Sequence, residues 1–228
     1  MTLDSKPEDS FTEEDLRQMV LRLAHEIRNP LATIKSAVQL IEHLQPPKAD
    51  VEEFFLGIHT EIHRIDSVVR DMQRYVRLDF HTAAAVPVTQ VVEAAVESVR
   101  EAAEASGSKV EVVPGPAVTV LADSVQLQAA IGELLENALR FGSPGSAVII
   151  RWSLEGDHVF SIDVEDDGPG IAPDLADRVL RPFFSSSTQG TGLGLNIAVR
   201  AARLAGGDLT WSNRTQGGAC FTLTLPRL

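Results

Sequence analysis

The chain has 228 residues, of which 44% are hydrophobic and 23% are charged; this is enough apolar material for one large domain or two small ones and argues against disorder throughout. Its formal net charge of -12 argues against nucleic acid as the main ligand, because binding to phosphate backbones depends on clustered lysine and arginine. Cys220 is the only cysteine, which excludes an internal disulfide and a cysteine-based zinc cluster and fits a reducing cytoplasm.

Neither a membrane span nor export is expected. The apolar runs are far shorter than the roughly 18 residues that a membrane-crossing helix needs. Met1 is followed by polar residues such as Thr2, Asp4 and Lys6, which is unlike the apolar stretch of a signal peptide.

The first third of the sequence predicts two long amphipathic helices. Apolar residues recur every three or four positions over residues 11–44 and again over residues 51–76, which is the periodicity of a helix with one buried face. Pro46 and Pro47 end the first helix, so the two helices are expected to form a hairpin. Because both apolar stripes are wide, we expect two hairpins to pair into the four-helix bundle of a homodimer.

A change of pattern marks a domain boundary near residue 80. Helical periodicity lapses over residues 79–87, so we expect a dimerisation domain at residues 1–80, a linker at 81–87 and a second domain at 88–228. In the second domain, helices and strands alternate without strict strand–helix–strand repeats, which favours an α/β sandwich with a mixed sheet. The expected helices span residues 91–105, 124–141 and 191–204, and the expected strands span residues 110–113, 118–121, 147–154, 159–164, 209–212 and 219–225.

A histidine on the first helix is the leading candidate for covalent chemistry. His25 lies two positions from Leu23 and from Ile27, which belong to the apolar stripe, so its imidazole is expected to face solvent. A neutral imidazole nitrogen is a usable nucleophile toward phosphorus. Glu26 is placed to take the other ring proton, and Asn29, one turn further on, to hold a water for hydrolysis of a phosphohistidine. A lone exposed histidine is usually a plain surface residue, and the other five histidines are interpreted in that way.

The expected helix over residues 124–141 carries candidate ligands for a metal and for phosphate. Glu133 and Asn137 lie one turn apart on a face that the apolar residues leave open. A carboxylate and an amide oxygen so placed suit Mg²⁺, which prefers oxygen ligands and keeps waters and substrate phosphates in its remaining positions. Arg140 is placed to reach a phosphate. A solvated polar stripe is the alternative interpretation.

Two glycine-containing segments complete the set of candidate residues. Asp166 follows an expected strand and opens a turn on Gly168 and Gly170, which let a ligand approach the backbone closely; an acid there can accept the exocyclic amine of adenine. The second segment follows a polar stretch suited to a lid and leads into a helix, whose N-terminal N–H groups can hold polyphosphate. Its candidate residues are Thr188, Gly190, Thr191, Gly192, Leu193 and Gly194. A plain loop is the alternative for each segment taken alone.

Together and in this order, the segments resemble the motifs of two-component sensor histidine kinases from about residue 12 to the end of the chain. The string His-Glu-Ile-Arg-Asn-Pro-Leu, which begins at His25, resembles the H-box of that family. The later segments resemble the N, G1, F and G2 boxes of its ATP-binding domain. The resemblance implies that His25 accepts phosphate, that Glu26 assists and that Asn29 supports phosphatase action.

The resemblance also implies roles in the second domain. Asn137 would be the main Mg²⁺ ligand and Asp166 the adenine reader, with the glycines of both segments facing the nucleotide. The sequence departs from the family pattern at Glu133, where many such kinases carry asparagine. The segment between Gly170 and Gly190 is compact, which resembles the nitrogen-regulator type of kinase with a short lid.

The resulting hypothesis is a cytoplasmic histidine kinase core with ATP and Mg²⁺ as its cofactors. It would phosphorylate itself on His25, pass the phosphoryl group to an aspartate in the receiver domain of a response regulator, and also act as a phosphatase. Two alternatives stay open: a dimeric clamp that hydrolyses ATP without phosphorylating itself, and a scaffold that docks a regulator without turnover.

Overall fold

The computed structural model of the chain describes residues 13–44, 47–77, 82–156, 159–181, 184–185 and 192–228. Contacts divide the chain into two compact units, Met1–Arg70 and Asp71–Leu228. Among the described helices, none combines the length and the apolar character that a membrane crossing requires.

Two long helices, α1 (Glu13–Leu44) and α2 (Lys48–Arg77), make up the described part of the first unit, and the last seven residues of α2 belong to the second unit. Helix α2 begins directly after Pro47, whose carbonyl accepts hydrogen bonds from the N–H groups of Asp50 and Val51. The predicted start of the first helix at residue 11 lies outside the described residues.

Each of the two helices has a buried apolar residue, and an ion pair links them. Leu23 on α1 and Val68 on α2 are buried, as the three-and-four spacing of apolar residues requires of one face. Glu26 on α1 forms an ion pair with Arg64 on α2 at 3.0 Å. The predicted helical hairpin is confirmed, and α1 continues as a helix through Pro30.

The second unit is an α/β sandwich with a mixed sheet, as predicted. The five-stranded sheet has the order β2-β4-β5-β7-β6, in which β2 runs parallel to β4 and the other neighbours are antiparallel. Strands β1 and β3 form a separate antiparallel pair. The elements in chain order are β1 (Ala84–Pro87), α3 (Val88–Ser98), α4 (Arg100–Ser106), β2 (Lys109–Val113), β3 (Thr119–Ala122), α5 (Ser124–Phe141), β4 (Ala147–Glu155), β5 (Val159–Glu165), α6 (Gly194–Leu204), β6 (Asp208–Asn213) and β7 (Ala219–Pro226).

The core of this unit lies between the sheet and the helices. Helices α5 and α6 lie against the sheet, and α3 packs against α5. Phe160 and Leu223 from the sheet and Leu134 from α5 are fully buried, and burial of each such side chain contributes about 1.5–3 kcal/mol. Buried and half-buried residues alternate along β7, because successive side chains of a strand point to opposite faces.

Helix α5 has the bounds that the sequence predicts, Ser124–Phe141. Its start is set by Asp123, whose side chain accepts hydrogen bonds from the N–H groups of Val125 and Gln126 at 3.0 and 3.1 Å. These bonds satisfy donors that the first turn of a helix leaves unpaired.

Two local features differ from the sequence-based expectations. The expected helix over residues 91–105 is divided in two at Val99, a buried residue with φ of -105° and ψ of 4°; this ψ lies outside the range of a regular α-helix. Strand β1 lies within the segment that was assigned to a linker; it forms by pairing with β3, a partner that local sequence cannot reveal. The domain boundaries stay a prediction.

Candidate functional site

The candidate nucleophile lies on α1 in the first unit. His25 is exposed, while Leu23 and Pro30 on the same helix are buried, so the imidazole faces away from the apolar stripe. The neighbouring Glu26 is held by α2, since its Oε2 accepts a hydrogen bond from Arg64 at 3.0 Å. Asn29, one turn further on, is also exposed, so both side chains can be approached from solvent.

The second unit contains a turn, residues 166–171, that holds a buried carboxylate; it is called the Asp166 turn below. Asp166 is 3% exposed, and its Oδ1 accepts hydrogen bonds from the N–H groups of Gly168 at 2.9 Å and Ala219 at 3.1 Å. Both bonds favour one orientation of the carboxyl group. Within the described residues, no group donates a hydrogen bond to Oδ2, which is therefore the atom that can accept a proton donor from a ligand.

The glycines of the Asp166 turn are required by its surroundings. A Cβ built on Gly168 would lie 2.4 Å from the carbonyl oxygen of Phe141 at the end of α5. Gly170 has a φ of 73°, which favours glycine. The close approach brings the end of α5 against the Asp166 turn, so two of the segments that the sequence analysis singled out are neighbours.

A further contact on this side involves Asp167. Its Oδ1 accepts a hydrogen bond from the N–H group of Ser143 at 3.1 Å. The pKa of Asp167 lies below its usual range, mainly because the carboxylate accepts a hydrogen bond from the Ser146 hydroxyl. Asp167 therefore ties the Asp166 turn to the loop that follows α5.

Helix α5 carries Asn137 and Arg140 in its last two turns. Asn137 is half-buried and Arg140 is exposed, with its guanidinium carbon 6.0 Å from the centroid of the Phe141 ring. Both residues follow the buried stripe of α5 that includes Leu134 and Leu135. The amide of Asn137 and the cation of Arg140 therefore lie on the part of the helix that the core leaves accessible.

Glu133 lies in a different environment from Asn137. It is 5% exposed, and its Oε1 accepts a hydrogen bond from Arg74 at 2.8 Å. The pKa of Glu133 is raised to about 7, mainly by burial and also by the negative charges of Asp71 and Glu136. The positive charge of Arg74 lowers the pKa and so acts against this shift. Glu133 is thus a buried carboxyl group whose partner in this structure is a cation.

The start of α6 contacts the same carboxyl group. A Cβ built on Gly194 would lie 2.4 Å from Glu133 Oε2, so a side chain at this position would displace the Glu133 carboxylate. Gly192 has a φ of 68°, and the side chain of Leu193 is buried, which leaves the backbone of this segment to meet a ligand. Thr188, Gly190 and Thr191 lie outside the described residues.

The donor set fits a magnesium ion that is held by few protein ligands. Among the described residues, no group of three or more His, Cys, Asp or Glu side chains is placed to hold a metal. A single amide oxygen from Asn137 is compatible with Mg²⁺, which takes most of its ligands from water and substrate phosphates. The assignment of Asn137 and Glu133 as metal ligands stays a prediction, and Glu133 would first have to part from Arg74.

The sequence analysis missed three residues that contact the candidate site. Arg74 forms an ion pair with Glu133. The only signal in the sequence was that a carboxylate stands at Glu133, where many kinases of the family carry asparagine. Asn213 and Arg214 contact the Asp166 turn. Their position just before two glycines, Gly217 and Gly218, indicated a turn between strands but not what that turn would contact.

Comparison with known protein families gives two matches. The family described as His Kinase A (phospho-acceptor) domain matches residues 15–80. The family described as histidine kinase-, DNA gyrase B-, and HSP90-like ATPase matches residues 122–228.

The chain is also similar to individual histidine kinases. It is 29% identical to the signal transduction histidine-protein kinase AfsQ2 of Streptomyces coelicolor, over 94% of this chain and 42% of that protein. It is 29% identical to the sensor protein CreC of Escherichia coli, over 93% of this chain and 46% of that protein. The chain thus spans less than half the length of these curated relatives.

A solved structure of the histidine kinase ThkA in complex with the response regulator protein TrrA is similar in fold. It matches with a TM-score of 0.77 and 19% sequence identity, over 94% of this chain and 63% of that chain. At this identity the match supports the fold: a helical hairpin followed by an α/β domain with a mixed sheet.

Proposed function

Because the chain belongs to the two-component sensor histidine kinases, we propose that it transfers the γ-phosphoryl group of ATP to His25 and from there to an aspartate of a response regulator. The observation that carries the proposal is the exposed imidazole of His25 on the helix that matches the phospho-acceptor family. The buried carboxyl group of Asp166 in the second unit supports the ATP-binding part of the proposal.

The Asp166 turn is proposed to bind the adenine ring. Asp166 Oδ1 is occupied by two backbone N–H groups, so Oδ2 is left to accept the exocyclic amine of adenine. Gly168 and Gly170 let the turn pack closely against Phe141 and Asn213, because a Cβ at either position would meet atoms of those residues. A carboxylate acceptor favours adenine over guanine, which has a carbonyl oxygen at the corresponding ring position.

The phosphates are proposed to lie between α5 and the start of α6. The N-terminal N–H groups of α6 follow Gly192 and Leu193 and form the kind of donor set that binds phosphate at a helix terminus. Arg140 is exposed on α5 and would contribute a positive charge. The amide oxygen of Asn137 would hold Mg²⁺, which neutralises phosphate charge when it is bound.

The first chemical step forms a bond between His25 and phosphorus. A ring nitrogen of the imidazole donates its lone pair to the γ-phosphorus, the bond from that phosphorus to the β–γ bridging oxygen breaks, and its electron pair leaves with ADP. Glu26 is the carboxylate next to His25 along α1 and would accept the ring proton. Arg64 holds one oxygen of Glu26 at 3.0 Å, which restricts the positions that this carboxylate adopts.

The second step passes the phosphoryl group to a receiver domain. A carboxylate oxygen of the receiver aspartate attacks the phosphorus, and the nitrogen–phosphorus bond to His25 breaks. The solved complex of ThkA with TrrA pairs a histidine kinase with a response regulator, which supports a partner of this kind. Asn29, exposed one turn after His25, is proposed to position a water when the phosphoryl group is removed again. A cytoplasmic location is part of this proposal.

The active form is proposed to be a homodimer. Several large apolar side chains of the hairpin are exposed in the single chain, among them Leu31, Val38, Phe55, Leu56 and Ile62. Exposed apolar surface on this scale favours burial against a partner, and a second hairpin would complete a four-helix bundle. Light scattering of the purified chain should give twice the mass of 24.7 kDa; a single-chain mass at micromolar concentration would contradict the dimer.

The proposed activity is tested by incubating the purified chain with Mg²⁺ and ATP labelled at the γ-phosphate. We expect acid-labile label on the protein, none on a His25→Ala variant, and wild-type label on a His59→Ala variant, in which another exposed histidine is removed. Absence of label on the wild type, or label that persists in His25→Ala, would refute the proposal. Free phosphate without labelled protein would instead identify the hydrolysing clamp, and neither product would identify the scaffold.

A further inference from the structure

A turn outside the nucleotide-binding motifs contacts both ends of the Asp166 turn. This β6–β7 turn, residues 213–218, connects the last two strands of the sheet. It is closed by two hydrogen bonds, from the N–H of Arg214 to the carbonyl of Gly218 at 2.9 Å and from the N–H of Gly217 to the carbonyl of Arg214 at 3.1 Å. Its geometry is therefore determined by its own backbone, and it can serve as a rigid support.

Arg214 contacts the first residue of the Asp166 turn. Its Nη1 donates a hydrogen bond to the carbonyl oxygen of Asp166 at 2.6 Å, and its Nε lies 3.1 Å from Glu165 Oε2. The other carboxylate oxygen of Glu165 pairs with Arg151. The guanidinium therefore bridges a side chain of β5 and the backbone of the residue that is proposed to read adenine.

Asn213 contacts the last residue of the Asp166 turn. Its Oδ1 accepts a hydrogen bond from the N–H of Ile171 at 2.7 Å, and its Nδ2 donates one to the carbonyl of Ile171 at 2.8 Å. Such a two-point contact mimics strand pairing and restricts both the position and the direction of the backbone. Gly170 lies so close that a Cβ there would be 2.8 Å from Asn213 Oδ1.

The backbone that follows the β6–β7 turn completes the support. The N–H of Ala219 donates to Asp166 Oδ1 at 3.1 Å. A Cβ on Gly218, which has a φ of 85°, would lie 2.0 Å from the carbonyl oxygen of Asp166, so this approach is possible only with glycine. The β6–β7 turn and Ala219 together contact the carboxyl group, the carbonyl and the far end of the Asp166 turn.

We propose that Asn213 and Arg214 are positioning residues that orient Asp166 toward adenine, so that the preference of the site for ATP over GTP depends on them. This inference rests on the proposed function. The two side chains act through their contacts with Asp166 and Ile171. Loss of either support lets the carboxyl group rotate away from the exocyclic amine, which weakens a contact that adenine makes and guanine does not.

The test measures the dissociation constants of ATP and GTP, with Mg²⁺, by titration calorimetry on the full chain. For Arg214→Ala and Asn213→Ala we expect the ATP constant to rise about tenfold, the effect of weakening one hydrogen bond in a site of this kind, while the GTP constant stays within about twofold of wild type. Arg214→Lys, which can still donate to the Asp166 carbonyl, should recover part of the preference. Arg203→Ala, which removes an exposed ion pair with Asp208 on β6, is the matched control and should keep the wild-type ratio.

The ratio of the two constants separates positioning from simple destabilisation. An unfolded fraction lowers the number of sites that titrate but leaves the ratio unchanged, so a ratio within about twofold of wild type in both alanine variants would overturn the inference. If an alanine variant does not fold, Arg214→Lys and Asn213→Asp, which each retain one contact, take its place. The ratio of their ATP and GTP dissociation constants is then compared with that of the wild type, and the same result overturns the inference. A wild-type chain that binds no ATP would refute the proposed function itself.

Discussion

Replacing Glu133 by glutamine is expected to flatten the pH dependence of stability of the second unit. Burial carries the pKa of this carboxyl group from its usual 4.5 to about 7 in the folded chain. The folded state therefore binds the proton more tightly than the unfolded state, so the stabilisation is complete below the unfolded pKa and is lost as the pH rises through the folded one.

The magnitude follows from the two pKa values. One pH unit between them corresponds to about 1.4 kcal/mol, so a rise from 4.5 to about 7 corresponds to about 3 kcal/mol in total, as an order of magnitude. Of this, about 2 kcal/mol is lost between about pH 5 and about pH 8. Glu133→Gln has no proton to release there, so its stability should fall by about 2 kcal/mol less than that of the wild type.

The assay is urea unfolding followed by tryptophan fluorescence in a metal-free buffer at several pH values. Trp152 and Trp211 are the two tryptophans of the chain, and both lie in the second unit, so the signal reports that unit. Glu93→Gln, which alters an exposed carboxyl group on α3, serves as the control and should keep the wild-type slope. Parallel curves for the wild type and Glu133→Gln would refute the argument.

Three further variants test the environment of the site. Arg74→Ala removes the cation beside the buried Glu133 carboxylate. Since Arg74 is 46% exposed, solvent weakens the pair, and we expect the free energy of unfolding to fall by about 2 kcal/mol near pH 8. Near pH 5, where Glu133 is protonated, the loss in the same assay should be much smaller. Asp166→Asn should weaken ATP binding by about 100-fold or more in calorimetry with little change in stability, and unchanged affinity would remove Asp166 from the adenine site. Gly218→Ala meets a carbonyl oxygen and should destabilise by about 3 kcal/mol, against about 1 kcal/mol for Gly156→Ala, which also has a positive φ but open space around it; equal losses would contradict the steric argument.

Much of the architecture could be predicted because its signals are local. The apolar spacing of α1 and α2 predicts the hairpin, and the bounds of α5 follow from the cap at Asp123 and the break at Gly142. The order of the motifs from His25 to Gly194 predicts the family. The strand Ala84–Pro87 could not be predicted in the same way, since it forms by pairing with β3, which lies far away in the sequence. The division of the expected helix at Val99 also has no signal in the apolar spacing.

Part of the candidate site could also be predicted from local sequence. Periodicity places His25 on the solvent side of α1 and Asn137 on an accessible part of α5, and the need for φ above zero explains Gly170 and Gly192.

By itself, then, the sequence determined the helical hairpin, the mixed α/β domain and the family to which the chain belongs, because periodicity, caps and glycine turns act over a few residues. Only the tertiary structure decided that Glu133 is buried beside Arg74 and that Arg214 and Asn213 hold the Asp166 turn. The physical reason is that burial and hydrogen-bond partners arise when segments tens of residues apart pack together. Those contacts are what set the pKa of Glu133 and the orientation of Asp166.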